Sequence, residues 1–250
     1  MKIQLGETVQ GQACTIEYFL HPDGGERGMV IVFPGGGYKI LGSYEAEPVA
    51  ERFVQLGFHA AVCRYRVAPV TYPVPLDDAR NAVKYTREHA GELNVKPDKI
   101  AVMGFSAGGH LAGMVSNMPG SPEARPDASL LCYPVLSALT ANAHMGSYHN
   151  LFGNKLEPEA YRDFSWPEVA HKDTPPAFIW HTAPDQAVPV ENSIEYFLAL
   201  KKLNIHTELH IYPQGCHGLG MGNCPDFDEK FDSIKSWPEL AARFLSDLGW

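Results

Sequence analysis

The sequence predicts an α/β fold: a doubly wound, mostly parallel sheet carrying one small cap-like insertion. Short apolar runs alternate with stretches of helical periodicity along most of the chain, the pattern of strands spaced by helices. The runs at 29–33 and 100–103 are apolar throughout, as strands covered on both faces must be. The residue types that carry chemistry cluster just after such runs, and open α/β sheets place their ligand crevices at that edge.

The elements follow in order. Residues 14–20 alternate enough for an early antiparallel strand, and 29–33 form a central one. Residues 45–56 set Val49, Phe53 and Leu56 on one helical face, and 58–65 return as a strand. A helix from 75 to about 90 carries Leu76, Ala79, Val83 and Ala90 on one face, with Asp77 and Asp78 complementing its N-terminal dipole. Strands at 99–103, 129–133, 177–181 and 206–212 and helices at 107–117, 190–200 and 236–248 continue the alternation. Residues 137–173 break it: this stretch is aromatic, polar and Pro-rich (Tyr148, Phe152, Tyr161, Phe164, Trp166) without clean periodicity. It reads as an insertion over the crevice, a cap or one wall of a pocket; a surface excursion packed on its own aromatics is the alternative. Without repeats, linkers or low-complexity tracts, residues 1–250 read as one domain.

Composition narrows the function classes. The chain has 250 residues, is 45% hydrophobic and 20% charged, and has a formal charge of −9. That balance fits a soluble globular protein with one substantial core. It argues against nucleic acid or an anionic membrane as partner. No apolar h-region opens the chain and no run of about eighteen apolar residues occurs, so neither a secretory signal nor a membrane span is expected. Five cysteines, odd in number and scattered, suit reduced thiols in the cytoplasm. Cys216 and Cys224 lack the spacing of a metal site, and neither metal nor organic cofactor is expected.

The chemistry begins at Gly104-Phe105-Ser106-Ala107-Gly108, between an apolar run and a small-residue helix start. In a strand–turn–helix context this is the nucleophile elbow: flanking glycines allow the tight turn, and the serine hydroxyl is lifted clear of the sheet. Alone, such a serine equally well caps an ordinary helix. A serine nucleophile needs a base, and the base an orienting acid. Asp185 follows the run 177–181, and His217 stands between glycines just after 206–212. Ser106, Asp185 and His217 thus occur in the order nucleophile, acid, base, each past a strand end. Asp226 and Asp228, beyond the histidine, break that order. Upstream, 29–33 runs into Pro34-Gly35-Gly36-Gly37-Tyr38, where free amides can converge on a developing oxyanion. The expected donors are the N–H groups of Gly36, Gly37 and Ala107. Tyr38 is a candidate to bind the alcohol moiety with its hydroxyl, or to brace the loop. Of the eleven histidines, His110 and His181 read as local braces, and His144 and His149 as solvated loop residues.

These segments, with Tyr65–Pro69, Pro75–Ala79, Trp180–Asp185 and Cys216–Gly218, carry a resemblance over nearly the whole chain. The sequence resembles the α/β-hydrolase superfamily of serine esterases, and within it the bacterial acetylxylan-esterase-like, carbohydrate-esterase branch. Relatives often carry His where Pro34 stands, which leaves loop rigidity to proline's fixed φ. The resemblance implies an α/β-hydrolase fold and a serine carboxylesterase taking short acyl esters, plausibly acetylated sugars. Amide hydrolysis on the same residues and an inactive binding protein of this fold are the alternatives.

Overall fold

The computed structural model describes residues 1–139, 143–153, 157–222 and 231–250. Eight strands form one sheet: β1 (Lys2–Val9), β2 (Gln12–Phe19), β3 (Arg27–Phe33), β4 (His59–Arg64), β5 (Val95–Phe105), β6 (Ala128–Cys132), β7 (Ala177–Thr182) and β8 (Thr207–Tyr212). Their spatial order is β1-β2-β4-β3-β5-β6-β7-β8. Pairing is antiparallel from β1 through β2 to β4 and parallel from β4 onward. The helices are α1 (Glu47–Gln55), α2 (Val74–Glu88), α3 (Ala90–Leu93), α4 (Ala107–Asn117), α5 (Met145–Phe152), α6 (Trp166–Val169), α7 (Glu191–Lys202) and α8 (Trp237–Asp247).

The period-2 alternation of β3 divides its side chains between two cores. Met29, Ile31 and Phe33 face one, with Leu76 and Val83 of α2, Leu111 and Met114 of α4 and Tyr196 of α7. Val30 and Val32 face the other, with Val49 and Phe53 of α1 and Trp237 and Phe244 of α8. Helices on both faces explain why residues 29–33 of β3 and the end of β5 carry no charged side chain. Each such side chain, wholly withdrawn from water, contributes roughly 1.5–3 kcal/mol. No helix among the described residues is long and apolar enough to cross a membrane.

Several local expectations change. β1 was not anticipated; only Leu5 of its residues is buried, so this edge strand has no apolar alternation to betray it. The helix expected at 45 begins at Glu47, after a 3-10 turn over Ser43–Glu45 with Pro48 in the first helical turn. Asp78 does not serve the helix dipole. It lies wholly buried in α2, taking the Arg66 guanidinium and, at 2.9 Å, the Arg66 backbone N–H. Arg66 in turn reaches the Glu7 carbonyl at 3.0 Å, tying β1 to the body of the sheet.

The stretch 137–173 contains α5, a 3-10 segment (Pro158–Phe164) and α6. Its aromatics do not pack only on one another. Tyr148 and Trp166 lie against His110 of α4, at ring distances of 5.1 and 4.8 Å, and the Trp166 indole donates to the His110 carbonyl. Phe152 and Phe164 enclose Tyr72.

Candidate active site

β5 delivers the chain to Ser106 and α4 leaves from it, and the junction allows no ordinary backbone. Ser106 sits at φ 51°, ψ −116°, a conformation an L-residue keeps only when its surroundings impose it. They do: its N–H donates to Cys132 O, and its carbonyl accepts from His110 and Val135. A Cβ on Gly104 would strike the Gly108 carbonyl, and one on Gly108 the Phe33 carbonyl, so both glycines are sterically required.

His217, in the loop after β8, closes on this serine. Its Nε2 lies 2.8 Å from Ser106 Oγ, and its Nδ1 lies 2.7 Å from Oδ2 of Asp185, just past β7. A carboxylate can only accept, so Nδ1 carries the proton and Nε2 is left to take one from the hydroxyl. Asp185 is itself held: Oδ1 accepts the N–H groups of Ala187 and Val188, both at 2.9 Å. His181 stands behind it, Nδ1 on Ser193 Oγ at 2.7 Å and Nε2 on Val188 O and Asp185 Oδ2 at 2.9 and 3.2 Å. Burial pushes the Asp185 carboxyl up. Hydrogen bonds from His181 and His217, the field of His217 and the Val188 N–H outweigh that and hold it well below the usual carboxylate range. His181 is thus the brace its position suggests.

The glycine loop lies against the elbow: a Cβ on Gly35 would come within 3.1 Å of Ser106 Cβ. Gly36 (φ +125°) and Gly37 (φ +63°) adopt backbone that favours glycine. Among the described residues, no acceptor meets the N–H groups of Gly36, Gly37 or Ala107, whereas the loop's carbonyls are engaged. Gly36 O accepts from Lys39 and Ile40, Gly35 O from Gly42, and Gly37 O accepts Asn150 Nδ2 of α5 at 2.8 Å. Three free donors on a fixed backbone are what a developing negative charge requires.

Of the two roles open to Tyr38, the geometry matches the brace and not contact with an alcohol moiety. Its ring is buried against Tyr65, and its hydroxyl points inward to His110 Nδ1 at 2.9 Å, away from any alcohol moiety. His110 Nε2 faces the Phe164 carbonyl at 3.3 Å, so the ring donates there and accepts from Tyr38. Burial, partly countered by that carbonyl, drops this imidazole to about 3. It is a neutral strut between the glycine loop, α4 and the 137–173 stretch.

Two further residues adjoin the site without any motif to mark them. Glu45, 2% exposed, accepts the Gly35 N–H on Oε2 at 2.7 Å and the Tyr133 hydroxyl on Oε1 at 2.5 Å. Read from sequence, an acidic residue at a helix start serves the dipole, and only its depth distinguishes Glu45. His144 is half-buried, bonded to Ser147 Oγ at 2.9 Å; burial and then the field of His217 lower its imidazole, so it stands near the site rather than in bulk water. His149 is exposed on α5. Cys224, Asp226 and Asp228 lie outside the described residues. Among the described residues, no three His, Cys, Asp or Glu side chains come together as a metal cluster.

A strained serine at the strand–helix junction of a mostly parallel sheet, with base and acid past later strands, defines an α/β-hydrolase. Comparison with known proteins agrees. A family model described as the prolyl oligopeptidase family matches residues 73–237, and one described as BD-FAE matches 18–124. The solved acetyl ester-xyloside bifunctional hydrolase of Caldicellulosiruptor lactoaceticus is 35% identical, with a TM-score of 0.89 over 100% of this chain and 96% of that one. The acetylxylan esterase of Xylanibacter ruminicola is 32% identical over 88% of this chain and 44% of its own length. Endo-1,4-beta-xylanase B of Butyrivibrio fibrisolvens is 35% identical over 82% of this chain and 34% of its own length. The chain spans less than half of each of these two curated relatives. The chain belongs to the α/β-hydrolase superfamily, matching its prolyl oligopeptidase family model and falling in the acetylxylan-esterase-like branch.

Proposed function

We propose that the chain is a serine carboxylic-ester hydrolase that removes short acyl groups, acetyl above all, from sugars or oligosaccharides, working without metal or organic cofactor in the cytoplasm. The observation that carries the reading is the unbroken relay from Ser106 Oγ through His217 to Asp185, at 2.8 and 2.7 Å, beside three unengaged N–H donors. His217 Nε2 takes the hydroxyl proton as Oγ adds to the ester carbonyl. The N–H groups of Gly36, Gly37 and Ala107 receive the resulting oxyanion, and Asp185 stabilises the imidazolium. Collapse breaks the bond to the alcohol, which leaves with the Nε2 proton. Water, deprotonated by the same nitrogen, then adds to the acyl-enzyme, releasing the acid and restoring Ser106. The names of the Xylanibacter and Caldicellulosiruptor relatives support acetylated sugars as the substrate class.

The test is hydrolysis of p-nitrophenyl acetate and acetylated xylo-oligosaccharides, before and after an organophosphate. Ser106→Ala is expected to lose about six orders of magnitude in kcat and all labelling. Undiminished turnover by Ser106→Ala would end the reading. The prolyl oligopeptidase match favours one second reading, amide hydrolysis on the same residues. Anilides and N-formyl amides cleaved faster than matched esters would establish it.

A further inference from the structure

We propose that Glu45 is a positioning residue that locks the glycine loop and the His217 loop in register across Ser106, one carboxylate oxygen on each side. The proposal rests on the hydrolase reading above and extends it to a residue that touches no reacting atom. On one side, Oε2 takes the Gly35 N–H, next to the two free glycine donors. On the other, Oε1 takes the Tyr133 hydroxyl, which accepts the Gly220 N–H at 2.9 Å in the loop that carries His217.

The surroundings are shaped for this carboxylate. A Cβ on Gly35 or Gly42 would come within 2.8 or 2.9 Å of Oε2, so the backbone leaves room there for the oxygen alone. Tyr133 keeps a left-handed φ of +36°, pinned by its N–H on Trp180 O at 2.7 Å, with its ring edge-on to His217 at 5.0 Å. The His217 loop needs such a clamp. Gly215, Gly218 and Gly220 all have positive φ, and glycines give a loop little stiffness of its own. Gly220 is held twice, its N–H on Tyr133 and its carbonyl on the Trp237 indole at 3.0 Å.

Energetics point the same way. A buried carboxylate is a poor stabiliser compared with an apolar side chain of similar volume. Burial indeed pushes the Glu45 carboxyl up, against the hydrogen bonds of Tyr133 and Gly35, the field of His217 and a hydrogen bond from Tyr44. What the carboxylate does that an apolar side chain cannot is accept donors from both sides: one beside the oxyanion donors, one beside the base. Errors of about an ångström in such alignment cost roughly a hundredfold in rate.

Glu45→Gln and Tyr133→Phe in the full chain test it, with kcat and KM for p-nitrophenyl acetate and active sites titrated by organophosphate. Glutamine matches the shape but turns a donor toward one of the two donors. Expected is a fall in kcat per titrated site of about thirtyfold or more for Glu45→Gln and about tenfold for Tyr133→Phe, with KM within about threefold. The double variant should be no slower than Glu45→Gln by more than about threefold, because the tyrosine arm runs through the same carboxylate. Both single variants within twofold of wild-type kcat per titrated site would overturn the proposal. If Glu45→Gln fails to fold, Tyr133→Phe alone decides by the same criterion. Turnover that survives Ser106→Ala overturns the hydrolase reading itself, a different result from a Ser106-dependent enzyme indifferent to Glu45.

Discussion

Asp185 shows how much one side chain depends on those behind it. It takes donors from His217, His181 and two backbone amides. In Asp185→Asn, the amide nitrogen must face either the two histidines that share Oδ2 or the two backbone N–H groups on Oδ1, and where it faces His217 the tautomer that leaves Nε2 free is lost. The expected drop in kcat is on the order of 10³- to 10⁴-fold with KM little changed, read from steady-state kinetics. Ser106, Asp185 and His217 were legible in the sequence because their covalent neighbours mark them: glycines at the elbow and the histidine, a strand end before the aspartate. Glu45 and Tyr133 were not. Their roles are made by partners 10 and 88 residues away, and no local pattern records them. Tyr38 keeps two candidate roles in the sequence because its place in the chain, beside the glycines, says nothing about which way its hydroxyl turns.

Among the elements, those that bury both faces were readable and those that bury one residue were not. β3, the end of β5 and α4 are marked by composition alone, and the residues forming α4 were anticipated without error. β1 escaped notice because an exposed edge needs no alternation. The helices α5 and α6 escaped because eight and four residues are too few to display a period. α5 nonetheless bears on the site, since its Asn150 donates to the Gly37 carbonyl. Asn150→Ala frees that carbonyl and loosens the loop. The expected result is a fall of about tenfold in kcat, with thermal midpoint changed by no more than a few degrees, as for loss of one half-buried hydrogen bond. Calorimetry beside kinetics separates the two effects.

The molecule as a whole carries a buried neutral histidine across its middle, and this sets its response to acid. The His110 imidazole falls from 6.5 to about 3, chiefly because burial disfavours its charged form. A histidine depressed in the folded state lends its full stability above the unfolded value, and the contribution drains away as pH falls from 6.5 toward 3. By pH 5 roughly 2 kcal/mol should be gone. Urea unfolding at pH 7 and pH 5 measures it: wild type is expected to weaken by about that much more than His110→Asn, which has nothing to titrate there. Equal weakening of the two would assign the acid sensitivity elsewhere.

The same ring joins the stretch over the crevice to the helix that starts at the nucleophile, through Phe164, Tyr148 and Trp166. The described part of this stretch is thus tied to α4 by two hydrogen bonds and by ring contacts. Any shift of this stretch would therefore be felt at the start of that helix, one turn from the nucleophile, through the contacts of a single histidine.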